Sequence, residues 1–594
     1  MPLRPTLSRR ALLALGGSTL AACSAPQAVP FRSESRADAG AFRHGVASGD
    51  PRADSVVLWT RVTPEGEGAV DVVCRVATRA DFSDARTVEL TASPARDWCV
   101  KLVADGLRPG TLYHYRFETS SATSRTGQTR TLPQGEVERA RFAVVSCSNL
   151  EHGYFHAYDL IARRHREAPF DALLHLGDYY YEYGRGDYSA ADDTPDEDPI
   201  DAVVRDGEPV PGMPPPRREH VPAHEILTLA DYRTRHAQYR SDPDLQAVTA
   251  LMPLVAVWDD HETSNDSWRN GAENHQSDEG PWSARRAAAL RAYYDWMPVR
   301  EPTDPTHLWR SFEWGDLLTL VAVETRLTAR TEPLVVEDYS ERITGGDADG
   351  WFRDVLYDPS REMFGANQQS FIVDRLARSK QAGKPWRVLA NQVIMARVMT
   401  PDMTPHVTEA AIEAIRPDWP KVDEFVALSK FRVPFYPDSW DGYPAARERF
   451  FAALDGAGVR DTVVFTGDAH EFWANRLSRD DGTPMGAEFV TTSVSSKTLK
   501  SYLGDATEDF TLLMTRDNSD PRYYSALHNG YTEATFTPRR ARVQMWAIPD
   551  VTRRSYEAFP LARFTIRPTR DGSVKITSPR GLSLKQRLLF SGLG

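Results

Sequence analysis

The stretch that decides the fold contains FAVVSCSN at residues 142–149 and DALLHLGDYYYEY at residues 171–183. Each begins with a short apolar run that predicts a buried β-strand, and a segment of helical length separates the two. The first run leads to Cys147, and the second leads to Asp178 and Tyr181. In open α/β sheets, ligands bind outside the carboxyl ends of the strands, so we expect a thiol, a carboxylate and a phenol to meet at one edge.

The same pattern, an apolar run followed by metal-ligating residue types, occurs twice more. PLVAVWDDHE at residues 253–262 supplies Asp259, Asp260 and His261, and DTVVFTGDAH at residues 461–470 supplies Asp468 and His470. Taken alone, Cys147 is equally well explained as a small buried hydrophobe, and Gly-Asp after a strand is commonly a turn. Four strand ends that carry thiolate, carboxylate or imidazole groups favour a metal site instead.

Several longer motifs carry a resemblance to a known family. They are SCS at 146–148, LGDYYYEYG at 176–184, WDDHE at 258–262 and TGDAHEFW at 466–473, supported by LADYR at 229–233, SDPDL at 241–245, YYDWMP at 293–298 and DSWDGYP at 438–444. With these motifs the sequence resembles the PhoD-like alkaline phosphatase and phosphodiesterase family, within the calcineurin-like metallophosphoesterases. The resemblance extends from His44 to about Tyr531. It implies an α/β fold, in which a four-layer α/β/β/α metallophosphoesterase domain follows a small fibronectin-III or Ig-like β-sandwich.

The resemblance also implies a metal centre of ferric iron (Fe³⁺) and calcium (Ca²⁺). Carried over to this sequence, iron is held by Cys147, Asp178 and Tyr181, and the remaining metal ligands include Asp260, Asp468 and His470. Asp259 is a weaker candidate ligand, because adjacent residues at a strand end point in opposite directions. His261 is the candidate catalytic residue, which contacts the phosphoryl oxygens or protonates the leaving group; the alternative is that it only orients a carboxylate.

Three departures from the family's pattern concern substrate contacts rather than metal ligands. Glu324-Thr325-Arg326 stands where relatives commonly have Asp-Thr-Arg, Asn367 replaces an acidic residue, and Asn529-Gly530-Tyr531 replaces Arg-Gly-Tyr.

Length and composition set the domain organisation. The chain has 594 residues and a net charge of −12, which fits two or three domains and argues against a nucleic-acid-binding module. We expect a twin-arginine signal and leader at 1–40, the fibronectin-III-like sandwich at 41–135, the catalytic domain at 136–560 with an acidic insertion at about 184–222, and a C-terminal tail at 561–594 that could cover the site. Cys74 and Cys99 lie on separate predicted strands. They either form a disulfide or remain two free thiols. The acidic run at 192–198 is a surface insertion or, less simply, a calcium loop.

The N-terminal residues predict export. Arg9 and Arg10 precede an apolar segment that ends at Leu20, which is shorter than the ~18–20 residues of a membrane-spanning helix. Paired arginines there resemble a twin-arginine signal, so we expect the twin-arginine export machinery as a partner. Cys23 follows Leu-Ala-Ala as in a bacterial lipobox, and lipid anchoring at Cys23 or ordinary cleavage a few residues later are both open. The expected location is periplasmic, secreted or lipid-anchored at the cell surface.

The predicted function is an exported, metal-dependent hydrolase of phosphate esters of the alkaline phosphatase D type. Bound cations would neutralise the phosphate oxygens and supply hydroxide near neutral pH. The expected substrates are small-molecule or polymeric phosphomonoesters, with phosphodiesters open. Two alternatives are a phospholipase D-type phosphodiesterase on the same scaffold and a non-catalytic binding protein at the cell surface. The complete ligand series argues against the second alternative.

Overall fold

The structure is a computed structural model that describes residues 29–33, 38, 40–188, 204–205, 208–209, 218–417 and 420–580. The predicted twin-arginine signal, Cys23, the acidic run at 192–198 and residues 581–594 lie outside this part of the chain. Within it, no helix combines the length and apolar character needed to cross a membrane.

The N-terminal unit is a sandwich of two antiparallel sheets. Its strands are β2 (Val46–Gly49), β3 (Val56–Arg61), β4 (Val70–Ala77), β5 (Arg86–Ala92), β6 (Cys99–Ala104), β7 (Leu112–Glu118) and β8 (Gly127–Arg130), preceded by β1 (Val29–Arg32). One sheet has the order β5-β4-β7-β8, and the other contains β2-β3-β6. Alternate residues of β4, including Val72 and Val76, point into a core shared with β3 and β7. Cys74 on β4 and Cys99 on β6 are both buried free thiols, so the free-thiol alternative describes the structure.

The predicted catalytic domain contains the remaining strands and all the α-helices described. The strands are β9 (Ala140–Val145), β10 (Ala172–His175), β11 (Val204–Arg205), β12 (Glu208–Pro209), β13 (Leu254–Ala256), β14 (Arg310–Trp314), β15 (Leu318–Ala322), β16 (Trp386–Ala390), β17 (Thr462–Thr466), β18 (Phe472–Ser478), β19 (Pro484–Val490), β20 (Pro521–Ser525), β21 (Asn529–Thr537), β22 (Arg540–Ile548), β23 (Ser555–Pro568) and β24 (Val574–Arg580). The helices are α1 (His156–Glu167), α2 (Leu229–Arg240), α3 (Pro243–Thr249), α4 (Trp282–Trp296), α5 (Val336–Arg342), α6 (Ala348–Trp351), α7 (Gly365–Gln381), α8 (Glu409–Ile415), α9 (Val422–Ser429), α10 (Pro444–Gly456), α11 (Lys500–Leu503) and α12 (Thr507–Asp517).

Two large sheets form the centre of the protein. The first has the order β1-β23-β22-β21-β9-β10-β13-β2-β3-β6, with β24 paired to β23, and the second has the order β14-β15-β16-β17-β19-β18-β20. Within them, β9, β10 and β13 are parallel neighbours, as are β15, β16, β17 and β19. The sheets face each other through aromatic contacts, such as Phe142 to Trp314 with ring centroids 4.8 Å apart. The predicted α/β protein with a β-rich N-terminal domain is confirmed.

Alternate residues of the second sheet face opposite ways. Leu320 and Val388 lie in the core between the sheets, whereas Val321 and Leu389 pack in a separate core that includes residues of α7 and α10. This period of two follows from the pleat of a strand. It explains why β15 and β16 read as continuous apolar runs: both faces of these strands are covered.

Two features differ from the predicted domain boundaries. β23 runs through residue 560, so the predicted start of a tail at 561 is wrong: residues 561–568 and 574–580 are strands of the first sheet. The physical reason is the alternation of buried residues along β23, in which Ala562, Phe564 and Ile566 enter the core. In addition, β2 pairs with β13, so the N-terminal unit extends the first sheet rather than standing apart from it.

Candidate metal centre

The predicted ligands follow the ends of strands in both central sheets. Cys147 follows β9, Asp178 follows β10, Asp259 and Asp260 follow β13, and Asp468 follows β17 of the second sheet. Because β9, β10 and β13 are parallel, their carboxyl ends lie at the same edge. The facing position of the second sheet brings β17 to that edge as well. The arrangement expected from the sequence is therefore the one observed.

The backbone at these positions adopts an uncommon conformation. Cys147, Asp178, Asp468 and His470 have positive φ angles of 61°, 53°, 64° and 59°. For residues other than glycine, the left-handed region costs roughly 1–2 kcal/mol each and is concentrated at functional sites. Gly177, with φ of 104°, allows the loops after β10 and β13 to meet, since a Cβ there would lie 2.3 Å from Cβ of Asp259.

Donor atoms of the predicted ligands form three overlapping groups, in each of which they lie within 4.8 Å of one another. The groups are Cys147, Asp178 and His470; Asp178, Asp260 and His261; and Asp178, Asp259, Asp260 and Asp468. Asp178 belongs to all three. Tyr181 joins the first group, because its hydroxyl lies 3.0 Å from Nε2 of His470 and 3.4 Å from Oδ2 of Asp178.

The electrostatics of this cluster fit bound cations. Burial, reinforced by neighbouring carboxylates, raises the pKa of Asp178 and of Asp468 well above the usual range. Oδ1 of Asp178 and Oδ2 of Asp259 are buried without a hydrogen-bond partner. Buried carboxylates of this kind are normally paired or coordinate metals. The residues present therefore fit a metal centre, in which Asp178 is grouped with carboxylates in one set of donors and with Cys147 and His470 in another.

His470 is oriented by its backbone surroundings. Its Nδ1–H donates to the backbone carbonyl of Lys497 at 2.7 Å, which leaves the lone pair of Nε2 directed to the cluster. Burial, the largest effect, lowers the pKa of His470 to about 4, so the ring is neutral at physiological pH. The hydroxyl of Ser496 donates to the Tyr181 oxygen at 2.7 Å. Nε2 of His470 and the oxygen of Tyr181 are thus both held by neighbouring groups in orientations suited to binding a metal.

Asp259 and Asp260 both enter the site, in different hydrogen-bonding environments. The Nε–H of Arg326 donates to Oδ1 of Asp259, whereas Asp260 accepts from the backbone N–H groups of His261 at 3.1 Å and Asp266 at 2.7 Å. Burial raises the pKa of Asp259 to about 6 although Arg326 lowers it. Burial also acts to raise the pKa of Asp260, but the positive charges of Arg326 and His261 outweigh burial, and the pKa of Asp260 is lowered.

His261 lies beside the cluster and is held by a carboxylate. Its Nδ1 donates to Oε2 of Glu182 at 2.6 Å, and Oε1 of Glu182 accepts from the backbone of Asn265 at 2.7 Å and from the side chain of Asn274 at 3.0 Å. Burial alone would lower the pKa of His261, but Asp260, Glu182 and Asp178 raise it well above its usual value. These three carboxylates thus favour the protonated ring, which is the form that could donate a proton.

The sequence analysis missed several residues that shape the site. Arg326 is completely buried and pairs with Asp259, Asp260, Asp438 and Asp468. It appeared only as part of a departure from the family's pattern, and Asp438 only within a supporting motif. No local signal marks Arg326, because its partners come from other strand ends and loops.

The sequence analysis also missed Glu262, which links the loop after β10 to the loop after β13. Its carboxylate accepts from the backbone N–H groups of Asp178 at 3.1 Å, Tyr179 at 2.7 Å and Asp259 at 2.8 Å. The WDDHE motif contains this residue, but a role that depends on backbone donors from another loop cannot be read from one sequence.

Parallel strands that deliver thiol, phenol, imidazole and carboxylate donors to one buried cluster define the class of metal-site α/β enzymes. Comparison with known proteins identifies the family. A sequence profile described as "PhoD-like phosphatase" matches residues 142–545, and "PhoD-like phosphatase, N-terminal domain" matches residues 25–133. The chain belongs to the PhoD-like phosphatase family, and it is a phosphoric ester hydrolase.

Two relatives support this assignment. Alkaline phosphatase D of Bacillus subtilis (strain 168) is 33% identical over 556 residues, which cover 90% of this chain and 82% of the relative. A solved structure of PhoD is 30% identical and superimposes with a TM-score of 0.71, covering 94% of this chain and 98% of the other. The family resemblance found in the sequence is confirmed.

Proposed function

We propose that the protein is an exported, metal-dependent phosphatase of the alkaline phosphatase D type, which releases phosphate from phosphomonoesters and also cleaves phosphodiesters. The observation that carries this proposal is Asp178, whose carboxylate belongs to all three groups of donor atoms. A shared carboxylate between two donor sets is the arrangement expected of a centre with more than one metal.

The proposed metals are ferric iron and calcium. Cys147, Tyr181 and His470 lie with Asp178 on the side proposed for iron, since anionic sulfur and phenolate donors favour the higher charge. Asp259, Asp260 and Asp468 supply the oxygen donors that suit calcium. When bound, these ions would neutralise the phosphate oxygens and activate a water molecule for attack.

The residues around the metals have roles of their own. His261 donates a proton to the departing oxygen, and Glu182 fixes its ring through Nδ1. Arg326 supplies a permanent positive charge among the carboxylates, which limits their mutual repulsion. The burial of the cluster strengthens each of these interactions.

The finer architecture and location are also proposals. Aromatic contacts between the two sheets, with α7 and α10 beside the second, support the four-layer α/β/β/α arrangement. The hydroxyl of Tyr113 accepts the backbone N–H of Arg108 at 2.8 Å, which supports a fibronectin-III-like unit with a tyrosine corner. The sequence at Arg9 and Arg10 supports export by the twin-arginine machinery, with lipid anchoring at Cys23 as one final location.

A substrate panel on metal-replete enzyme tests the proposal. We expect turnover of nitrophenyl phosphate and of bis(nitrophenyl) phosphate, and loss of both in Asp178→Ala. Asp187→Ala is the matched control, because Asp187 lies on the same loop but is exposed. Hydrolysis of diesters alone would favour the phospholipase D-type alternative. Equal losses in the two variants would remove Asp178 from the catalytic centre.

A further inference from the structure

A cavity of about 510 Å³ lies against the proposed metal centre. Its lining includes Asp266 and Asp438 together with Asp468 and His470 of the donor groups. Pockets of this size hold compact organic ligands, typically against apolar walls with a few polar groups that fix orientation. The other lining residues, which include the polar Thr400, Lys421, Glu424, Glu471 and Lys497, determine what such a ligand carries beyond its phosphate.

The remaining wall is mainly apolar and aromatic. Its apolar residues include Tyr339, Phe425, Leu428, Phe435, Leu499 and Tyr502. The cavity lies between two separate hydrophobic clusters, one containing Tyr339 and Leu428, and the other packed against Phe425, Phe435 and Leu499. Phe425, Phe435 and Leu499 are half-buried, so part of each side chain remains accessible.

We propose that this cavity is a specificity subsite that holds an apolar alcohol arm of the phosphate ester, with Phe425, Phe435 and Leu499 among the residues that select it. This inference rests on the proposed phosphatase function. The phosphate would lie at the end formed by Asp468 and His470, and the arm would extend between the two hydrophobic clusters.

The chemistry of the wall selects against polar arms. A glycerol or sugar arm placed against Phe425, Phe435 and Leu499 would lose hydration of its hydroxyls, because these side chains offer no hydrogen bonds. An apolar arm would instead gain about fourfold in affinity for each methylene group that it buries. Tyr436 adds no free hydroxyl, since its O–H already donates to Glu471 at 2.6 Å.

A series of n-alkyl phosphates from ethyl to octyl tests the subsite, because their alcohols are leaving groups of similar quality. We expect kcat/KM to rise about fourfold per methylene until the cavity is full. Non-hydrolysable n-alkylphosphonates should bind with the same dependence on chain length. Calorimetry should show a heat-capacity change that becomes more negative as the chain lengthens.

Two variants and one control locate the effect. Leu499→Trp should fill the cavity and abolish the gain from longer chains, so that kcat/KM no longer rises from ethyl to octyl phosphate. Phe425→Ala should enlarge the cavity and shift the optimum to longer chains. Leu513→Trp is the control, since Leu513 is also half-buried against the same hydrophobic cluster but does not line the cavity.

The outcomes separate this inference from the proposed function. If nitrophenyl phosphate is hydrolysed but turnover and phosphonate binding are independent of chain length, the subsite is refuted alone. The same conclusion follows if Leu513→Trp and Leu499→Trp change the chain-length dependence equally. If metal-replete protein hydrolyses no ester, the proposed function fails, and chain-length-dependent binding of phosphonates would still support the apolar subsite.

Discussion

Replacing Arg326 with methionine removes the only permanent positive charge that pairs with four carboxylates of the described site. The side chain is completely buried, its Nη1 donates to Asp438 at 2.6 Å, and its Nη2 lies 3.4 Å from Asp468. Removing one partner of a buried ion pair costs about 3–5 kcal/mol, because the other charge remains buried without compensation. We expect Arg326→Met to lose about this much stability in metal-free protein.

Bound cations should reduce that loss. They provide positive charge to Asp259, Asp260 and Asp468. With metal bound, Arg326→Met therefore chiefly lacks the charged hydrogen bond to Asp438, which is worth roughly 1.5–3 kcal/mol. The free energy of unfolding, measured with urea by tryptophan fluorescence, should therefore differ less between variant and parent in calcium than in chelator. By linkage, the variant should bind calcium more tightly than the parent.

Arg330→Met is the matched control. Arg330 is equally buried but contacts Asp438 and Tyr443 rather than the three proposed metal ligands. Its loss of stability should be the same with and without metal. If Arg326→Met also loses equal stability in both conditions, the idea that Arg326 and the metals share the same carboxylates is refuted.

Three further predictions follow from the site and its surroundings. His261→Gln should slow alkyl phosphates by roughly 10²–10⁴ and nearly spare nitrophenyl phosphate at matched metal content, whereas equal slowing would leave His261 only a positioning role. Gly177→Ala should lower both urea stability and bound metal, because its Cβ would lie 2.3 Å from that of Asp259 at a φ of 104°; unchanged metal content would contradict this. Burial raises the pKa of Asp441 from 3.8 to about 7, so its contribution to stability is present at low pH and lost as pH rises toward 7. The free energy of unfolding of Asp441→Asn, measured with urea relative to that of the parent, should therefore rise by roughly 1–3 kcal/mol from pH 4 to pH 8. A difference between the two proteins that does not change with pH would refute the raised pKa of Asp441.

The candidate ligands could be predicted from the sequence because each follows an apolar strand directly. Cys147, Asp178, Asp260 and Asp468 lie within a few residues of strands that the period and length of apolar runs identify. Parallel pairing then places strand ends at one edge, so local signals were enough to bring these residues together.

Other features depend on contacts between distant segments. Arg326 follows β15, yet its partners lie in the loops after β13 and β17 and at Asp438. Glu182 and Glu262 act by accepting hydrogen bonds from groups that only the folded chain brings near. The boundary placed at residue 561 was wrong because the family motifs end earlier, although β23 continues the alternation of buried residues beyond it. The apolar cavity was not predicted, since its walls come from α5, α9 and the residues around Leu499.

The most direct test of the account is phosphatase turnover of the purified protein before and after metal removal, recorded together with its visible absorption spectrum. The account predicts that chelation abolishes turnover, that restored iron and calcium recover it, and that a phenolate-to-iron band disappears in Tyr181→Phe without loss of fold. A colourless, metal-free protein with full turnover would contradict the assignment of Cys147, Asp178 and Tyr181 to a catalytic metal centre.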